Sequence, residues 1–250
     1  MKIILSPTKT MMSSQFKIED SPSSIPFFQK ESIKIHQLLK GFPKDDIRSL
    51  MKLSENLNNQ TLQDIQLWDS DKSLKTYAVY AYQGTAFKNL YPQKWKLSDA
   101  TFAQNHLLIL SGLYGILQPF DLIKKYRLEM GLKLEIESCQ TLTHFWKERF
   151  TNYFNRNKEQ HFIINLASKE YSNVLSQTHL HGEVIDCIFY EKSNNSFRVV
   201  GNYSKAARGS MANFIVKNKL DRIEDLQKFR ELGYCYSPQQ SSNNKLVFIR

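Results

Sequence analysis

No stretch of the 250-residue chain contains about 18 consecutive apolar residues, so a membrane-spanning helix is not expected. Its opening, MKIILSPTKTMM, has too short an apolar run for a signal peptide, and Lys9 interrupts the sequel. Cysteine is scarce. Cys139, Cys187 and Cys235 are isolated, form no CxxC and are odd in number. A disulfide framework is thereby excluded, and reduced, mostly buried thiols in a cytoplasmic protein are expected. His179 and His181 alternate, but no carboxylate pair or third histidine has ligand-like spacing nearby. No metal site and no cofactor are expected. There is no internal repeat and no linker long enough to divide domains, so residues 1–250 read as a single domain. Acids are the other shortage. Asp and Glu number 24 against 34 Lys and Arg, a formal charge of +10. Such a surplus is common among nucleic-acid binders, where phosphate neutralisation releases counterions, though ordinary basic enzymes share it.

The pattern that remains is α/β. Short apolar runs at Lys2–Leu5, Leu107–Leu110, Phe162–Leu166 and 246–249 read as buried strands, with a strand pair at 184–190 and 197–200 around SNNS. Residues 13–26 read as a loop. Ile35, Leu38, Leu39 and Phe42 lie on one helical face. After GFPKDD a second helix covers 47–57, with Asp45 or Asp46 as its N-cap, and a third covers Thr61–Trp68. Ser98 is expected to cap a short helix to Gln104. Leu142, Phe145, Trp146, Phe150, Tyr153 and Phe154 make an amphipathic helix. Ser168 can cap another, Ser204 opens one to about Lys219, and a short one spans 222–229. TYAVYAY at 76–82 fits strand or helix end equally. Together these predict one compact domain, a mixed sheet flanked by helices, with a helical hairpin insertion near 31–68.

Four segments carry the chemistry. Residues 111–131, SGLYGILQPFDLIKKYRLEMG, leave the Leu107–Leu110 strand at its carboxyl end, the edge where open α/β sheets bind ligands. Gly112 and Gly115 permit close backbone approach. Asp121, Tyr126, Arg127 and Glu129 follow among apolar residues. Their charges must therefore pair, as Arg127–Asp121 or Arg127–Glu129, or face a cleft. SPTKT places Lys9 after the first strand. NLASKEY places Glu170 at a helix start. In KAARGSM, Lys205 and Arg208 are helical neighbours three apart. Gly209 costs that helix about 1 kcal/mol relative to alanine. Close approach by another element, packing against a strand or a phosphate would offset it.

These four segments, in this order and with FRELGY and LVFIR behind them, resemble the YaaA family of bacterial peroxide-stress proteins over essentially the whole chain. The resemblance implies a compact α/β fold with a basic cleft and a helix-hairpin-helix-like element. It also implies DNA binding and protection against hydrogen peroxide through lower free intracellular iron. Family members usually have Arg-Pro-Leu-Asp where this chain has Gln118, Pro119, Phe120 and Asp121, so one positive charge is missing. The hairpin candidate is 33–57, where Lys44 supplies charge. There Pro43 replaces a glycine and donates no N–H, so an ordinary αα-hairpin is the competing reading.

The sequence thus leads to a cytoplasmic DNA-binding protein of the peroxide stress response, gripping phosphates through Lys9, Lys44, Arg127, Lys205 and Arg208 with little base specificity. No obligate protein partner is expected. The alternative is an enzyme acting on a nucleotide or a nucleobase in DNA. It would draw its acid–base groups from Asp121, Tyr126, Glu129 and Glu170.

Overall fold

The computed structural model describes residues 1–156, 162–175, 179–193 and 196–250. Five strands form a parallel core: β1 (Lys2–Leu5), β5 (Leu107–Ser111), β8 (Phe162–Leu166), β9 (Glu183–Ser193) and β12 (Lys245–Ile249). The sheet order is β11-β12-β9-β8-β1-β5-β6. β6 (Gly115–Leu117), β10 (Ser196–Arg198) and β11 (Cys235–Tyr236) pair antiparallel with β5, β9 and β12. The sheet is therefore mixed. β1 and β5 bury nearly every side chain, which is why strands covered on both faces read as continuous apolar runs. β9 alternates instead: Ile185, Cys187 and Phe189 are buried, and Val184, Asp186 and Ile188 are not. Asn194 and Asn195, the centre of the SNNS turn, lie outside the described residues.

β1 is the pivot of the topology. The chain leaves it for β5 on one side and later returns to β8 on the other. Connections departing in opposite directions leave a crevice at the carboxyl ends of the two strands, here β1 and β8. The longest helix, α9 (Gly201–Asn218), lies against β1, β8 and β9, beside α5 (Thr85–Leu90) and α6 (Leu97–His106). α5 and α9 touch at backbone distance. A Cβ on Gly209 would stand 1.9 Å from the Ala86 carbonyl oxygen. The neighbour that offsets this glycine is thus a helix, not a strand or a phosphate.

The 31–68 region is helical, but its boundaries differ from the sequence pattern. α1 (Gln29–Lys40) and α2 (Lys44–Met51) precede α3 (Glu55–Leu67). Lys52 adopts φ 52°, ψ 53°, and this left-handed residue breaks the expected 47–57 helix. Leu57 consequently sits on α3, 40% exposed. Pro43 occupies the N-cap position of α2, so Asp45 and Asp46 fall in its first turn, where they complement the helix dipole without capping. Ser98 is not the cap of α6 either. The Asp99 carboxylate accepts the Lys96 N–H at 3.0 Å. α9 begins at Gly201, nearly a turn before Ser204. TYAVYAY divides into β3 (Lys75–Tyr77), which pairs with β7 (Leu122–Lys124), then α4 (Ala78–Ala81) and the start of β4 (Tyr82–Gln83), which pairs with β2 (Thr10–Met11). α7 (Leu142–Asn155), α8 (Lys169–Ser172) and α10 (Ile223–Leu226) complete the described helices of four or more residues. None of these helices is long and apolar enough to cross a membrane.

Candidate functional site

A cavity of about 400 Å³ opens at the carboxyl ends of β1 and β8, at the switch point of the sheet. Three of the four segments singled out in the sequence supply its wall directly, and the fourth supplies Glu129. Lys9 comes from the loop after β1. Glu170 comes from the start of α8. Lys205 and Arg208 come from the first half of α9. The two loops are tied together. Ser6 Oγ accepts the Ser168 N–H at 2.8 Å and lies 3.2 Å from Ser168 Oγ. Ser168 does stand at the N-cap position of α8, but its hydroxyl is turned to Ser6 and makes no capping bond.

The charges in the cavity are only partly matched. Lys9 Nζ lies 2.7 Å from Glu129 Oε2. Glu170 Oε1 accepts the Gly131 N–H at 3.2 Å. Lys205 and Arg208 pair with no carboxylate within salt-bridge distance among the described residues. Arg208 Nε is buried with no hydrogen-bond partner. Burial pushes the Arg208 guanidinium down from its ordinary value, while the proximity of Cys187 and Asp186 acts the other way. A cation in that position is poised to accept an anionic ligand.

Behind the cavity wall lies a chain of buried hydroxyls. Tyr82 and Tyr126 share a 2.7 Å hydrogen bond. Tyr126 meets Ser111 Oγ at 2.6 Å, and Ser111 Oγ accepts the Tyr114 N–H at 2.9 Å. Burial pushes Tyr126 up to about 12 and Tyr82 well above its usual value. Burial likewise raises Tyr171, which lines the cavity itself. These phenols stay protonated at neutral pH and can donate or accept a hydrogen bond without acting as bases.

The other sequence candidates are placed elsewhere. Tyr126 and Arg127 sit one layer back, in small crevices that open beside Lys9 and beside His36 and Trp68. Arg127 forms neither expected ion pair; its Nε is buried and unpartnered. Asp121 is 1% exposed and closes a turn: its carboxylate accepts from Ser24 Oγ at 2.6 Å and from the Gln118 N–H at 2.8 Å. Burial raises its carboxyl, and those two bonds act against the rise. Gly112 and Gly115 admit protein rather than ligand. Cβ atoms there would meet the Leu128 carbonyl oxygen at 2.4 Å and the Trp146 ring at 2.6 Å. Lys44 is exposed at the start of α2 and does not line the cavity. In the α1–α2 turn the Gly41 and Phe42 N–H groups are bonded to Gln37, Leu38 and Leu39 carbonyls, the geometry of an αα-hairpin closing its own helix end.

Gln83, Gly84, Thr85 and Ala86 also line the cavity, and sequence reasoning passed over them. Gly84 has φ 139°, a conformation that favours glycine, as the chain turns into α5. The Gly-Thr pair following an apolar run was the available signal. No cluster of three or more His, Cys, Asp or Glu that could hold a metal ion occurs among the described residues.

Comparison with known proteins adds an independent line. The family model described as peroxide stress protein YaaA matches residues 1–240. A UPF0246 protein of Desulfotalea psychrophila is 38% identical over 250 residues, covering 99% of this chain and 97% of that one. A UPF0246 protein of Crocosphaera subtropica is 37% identical, covering 100% of both chains. One from Legionella pneumophila is 36% identical, covering 100% of this chain and 99% of its own.

Proposed function

Because the chain belongs to the family of peroxide stress protein YaaA, we propose that it serves the peroxide stress response as a cytoplasmic DNA-binding protein. The carrying observation is the convergence of Lys9, Lys205 and Arg208 on one cavity at the sheet's switch point, with a buried guanidinium nitrogen lacking a partner. The formal charge of +10 supports long-range attraction to a polyanion. A cavity of about 400 Å³ has the scale of a small-ligand site. It therefore takes a single nucleotide unit, at a strand end, a gap or an extruded position, while contacts around it grip neighbouring phosphates. Lower free iron, which the family likeness implies, is then an indirect consequence of that binding.

Fluorescence anisotropy with single-stranded and gapped DNA tests the reading. Affinity should fall steeply with salt, by a slope of roughly 0.7 to 0.9 in log K per phosphate neutralised. The double variant Lys205→Ala/Arg208→Ala should bind more weakly with a shallower slope. Affinity indifferent to salt, or a folded double variant that binds normally, overturns it.

A second reading rests on a specific observation. Glu129 and Glu170 line the same cavity as the cations, and a binder of phosphates has little use for carboxylates there. An enzyme acting on a nucleotide or nucleobase would use one for proton transfer. Glu129→Gln separates the two. A binding protein should keep its DNA affinity or gain slightly, since a repulsive charge has gone. An enzyme should lose turnover while binding survives.

A further inference from the structure

A second cavity, of about 420 Å³, lies beside the first. The two share one lining residue, Arg208. The segment that ends β8 and enters α8 is the partition between them. Leu166, Ser168 and Glu170 line the first cavity; Asn165, Ala167 and Lys169 line the second. Beyond the partition the second cavity is lined by Ser172, Asn173 and the half-buried Asp186 of β9. Asn165 Nδ2 donates to Asp186 Oδ1 at 2.7 Å, which fixes both groups.

The two compartments differ in chemistry. The first combines Lys9, Lys205 and two carboxylates. The second offers the Asn173 amide, a hydroxyl, one carboxylate and Lys169 beside the apolar Leu175, Val184 and Ile188; Asn165 is committed to Asp186 and to the Ala167 N–H. Polar groups of this kind meet sugar hydroxyls and base edges, and the apolar side chains can face a base. Between them stands the planar Arg208 guanidinium, which lines both; its Nε is buried, so its terminal amino groups are the donors left for a ligand on either side. A ligand confined to the first cavity would use only one side of it.

We propose that the second cavity is the subsite for an adjoining nucleotide, so that the ligand is a pair of linked nucleotides whose connecting phosphodiester is held by Arg208. This rests on the reading of the first cavity as a nucleotide site. It extends that reading by assigning a length of chain, a second set of contacts and a position for the linking phosphate. Two nucleotides joined by one linker bind with the second contact made effectively intramolecular, so the gain over a single nucleotide is large if both compartments are used.

Isothermal titration with thymidine 5′-monophosphate and with the 5′-phosphorylated thymidine dinucleotide distinguishes the cases. The dinucleotide should bind at least about 10-fold more tightly than the mononucleotide, with one-to-one stoichiometry. Asn173→Trp fills the second cavity from an exposed position and should cut that advantage to within about 3-fold while leaving mononucleotide affinity unchanged. Lys169→Glu, also exposed, should act in the same direction. Equal affinity for the two probes, an advantage that survives both substitutions, or two mononucleotides bound per chain with no dinucleotide gain overturns the second subsite and leaves the first intact. Failure of both probes to bind the wild-type protein overturns the nucleotide reading of the first cavity and the second subsite with it.

Discussion

The two ends of α9 treat positive charge in opposite ways. Near its carboxyl end, Lys217 and Lys219 close on Asp99 at 2.6 and 3.0 Å, and the Lys96 N–H joins them. Burial pushes the Asp99 carboxyl up, but those bonds outweigh it and hold the group at about 2. Lys205 and Arg208, twelve and nine residues before Lys217 and so about 18 and 14 Å away along the axis, face a cavity and have no carboxylate within salt-bridge range among the described residues. One helix thus carries a clasp whose charges are neutralised by the fold and a grip whose charges await something else. Charges that hold a structure together are matched within it. On the proposed function, the charges left unmatched in the crevice at the switch point are where a ligand supplies the missing anion.

The contrast requires α9 to be a fixed rod, and Gly209 tests that most severely. Gly209→Ala removes a helix penalty of about 1 kcal/mol but drives a methyl into the Ala86 carbonyl. A net loss of about 3 kcal/mol in urea unfolding is expected. Wild-type stability would show that α5 and α9 part easily and that the two ends need not be compared on one scaffold.

Asp99→Asn tests the clasp. Its folded-state value of about 2 lies below the ordinary carboxylate range. Its contribution is therefore fully present above about pH 4 and is lost as the pH falls through 2. The variant should be less stable by about 1 to 2 kcal/mol at pH 7, and the gap should close towards pH 2. A gap that does not change with pH would mean the clasp acts through packing alone. The grip should give the smallest effect on stability. Lys205→Ala/Arg208→Ala should unfold within about 0.5 kcal/mol of wild type while losing nucleic-acid affinity. A large loss of stability would make both ends of the helix structural and erase the distinction.

Most of the sheet was legible because β1, β5 and β12 are largely buried on both faces, while β9 announced itself by alternation. β1 and β8 coincide with their apolar runs, and β5 and β12 differ by one residue. The helical boundaries were less so. Nothing in the sequence marks Lys52 as the residue that turns left-handed, and Val200, at the N-cap position of α9, has no side chain that can cap. The site was legible in pieces, since Lys9, Glu170, Lys205 and Arg208 each lie near a strand end or helix start. Their meeting in one cleft was expected from the family resemblance and not from spacing, because it depends on β8 returning to the far side of β1. Arg127 shows the same gap from the other direction. Its neighbours in sequence include two acids, yet Asp121 is committed to Ser24 and the Gln118 N–H, and Glu129 reaches Lys9.

The bond between Ser6 and Ser168 joins positions 162 residues apart in the chain. The two loops it links cannot be edited separately. A residue inserted after β1 would displace Ser6 and with it the amide that enters α8, moving both Lys9 and Glu170 though only one loop had changed. Anyone transplanting this site to another sheet would have to carry both loops as a matched pair.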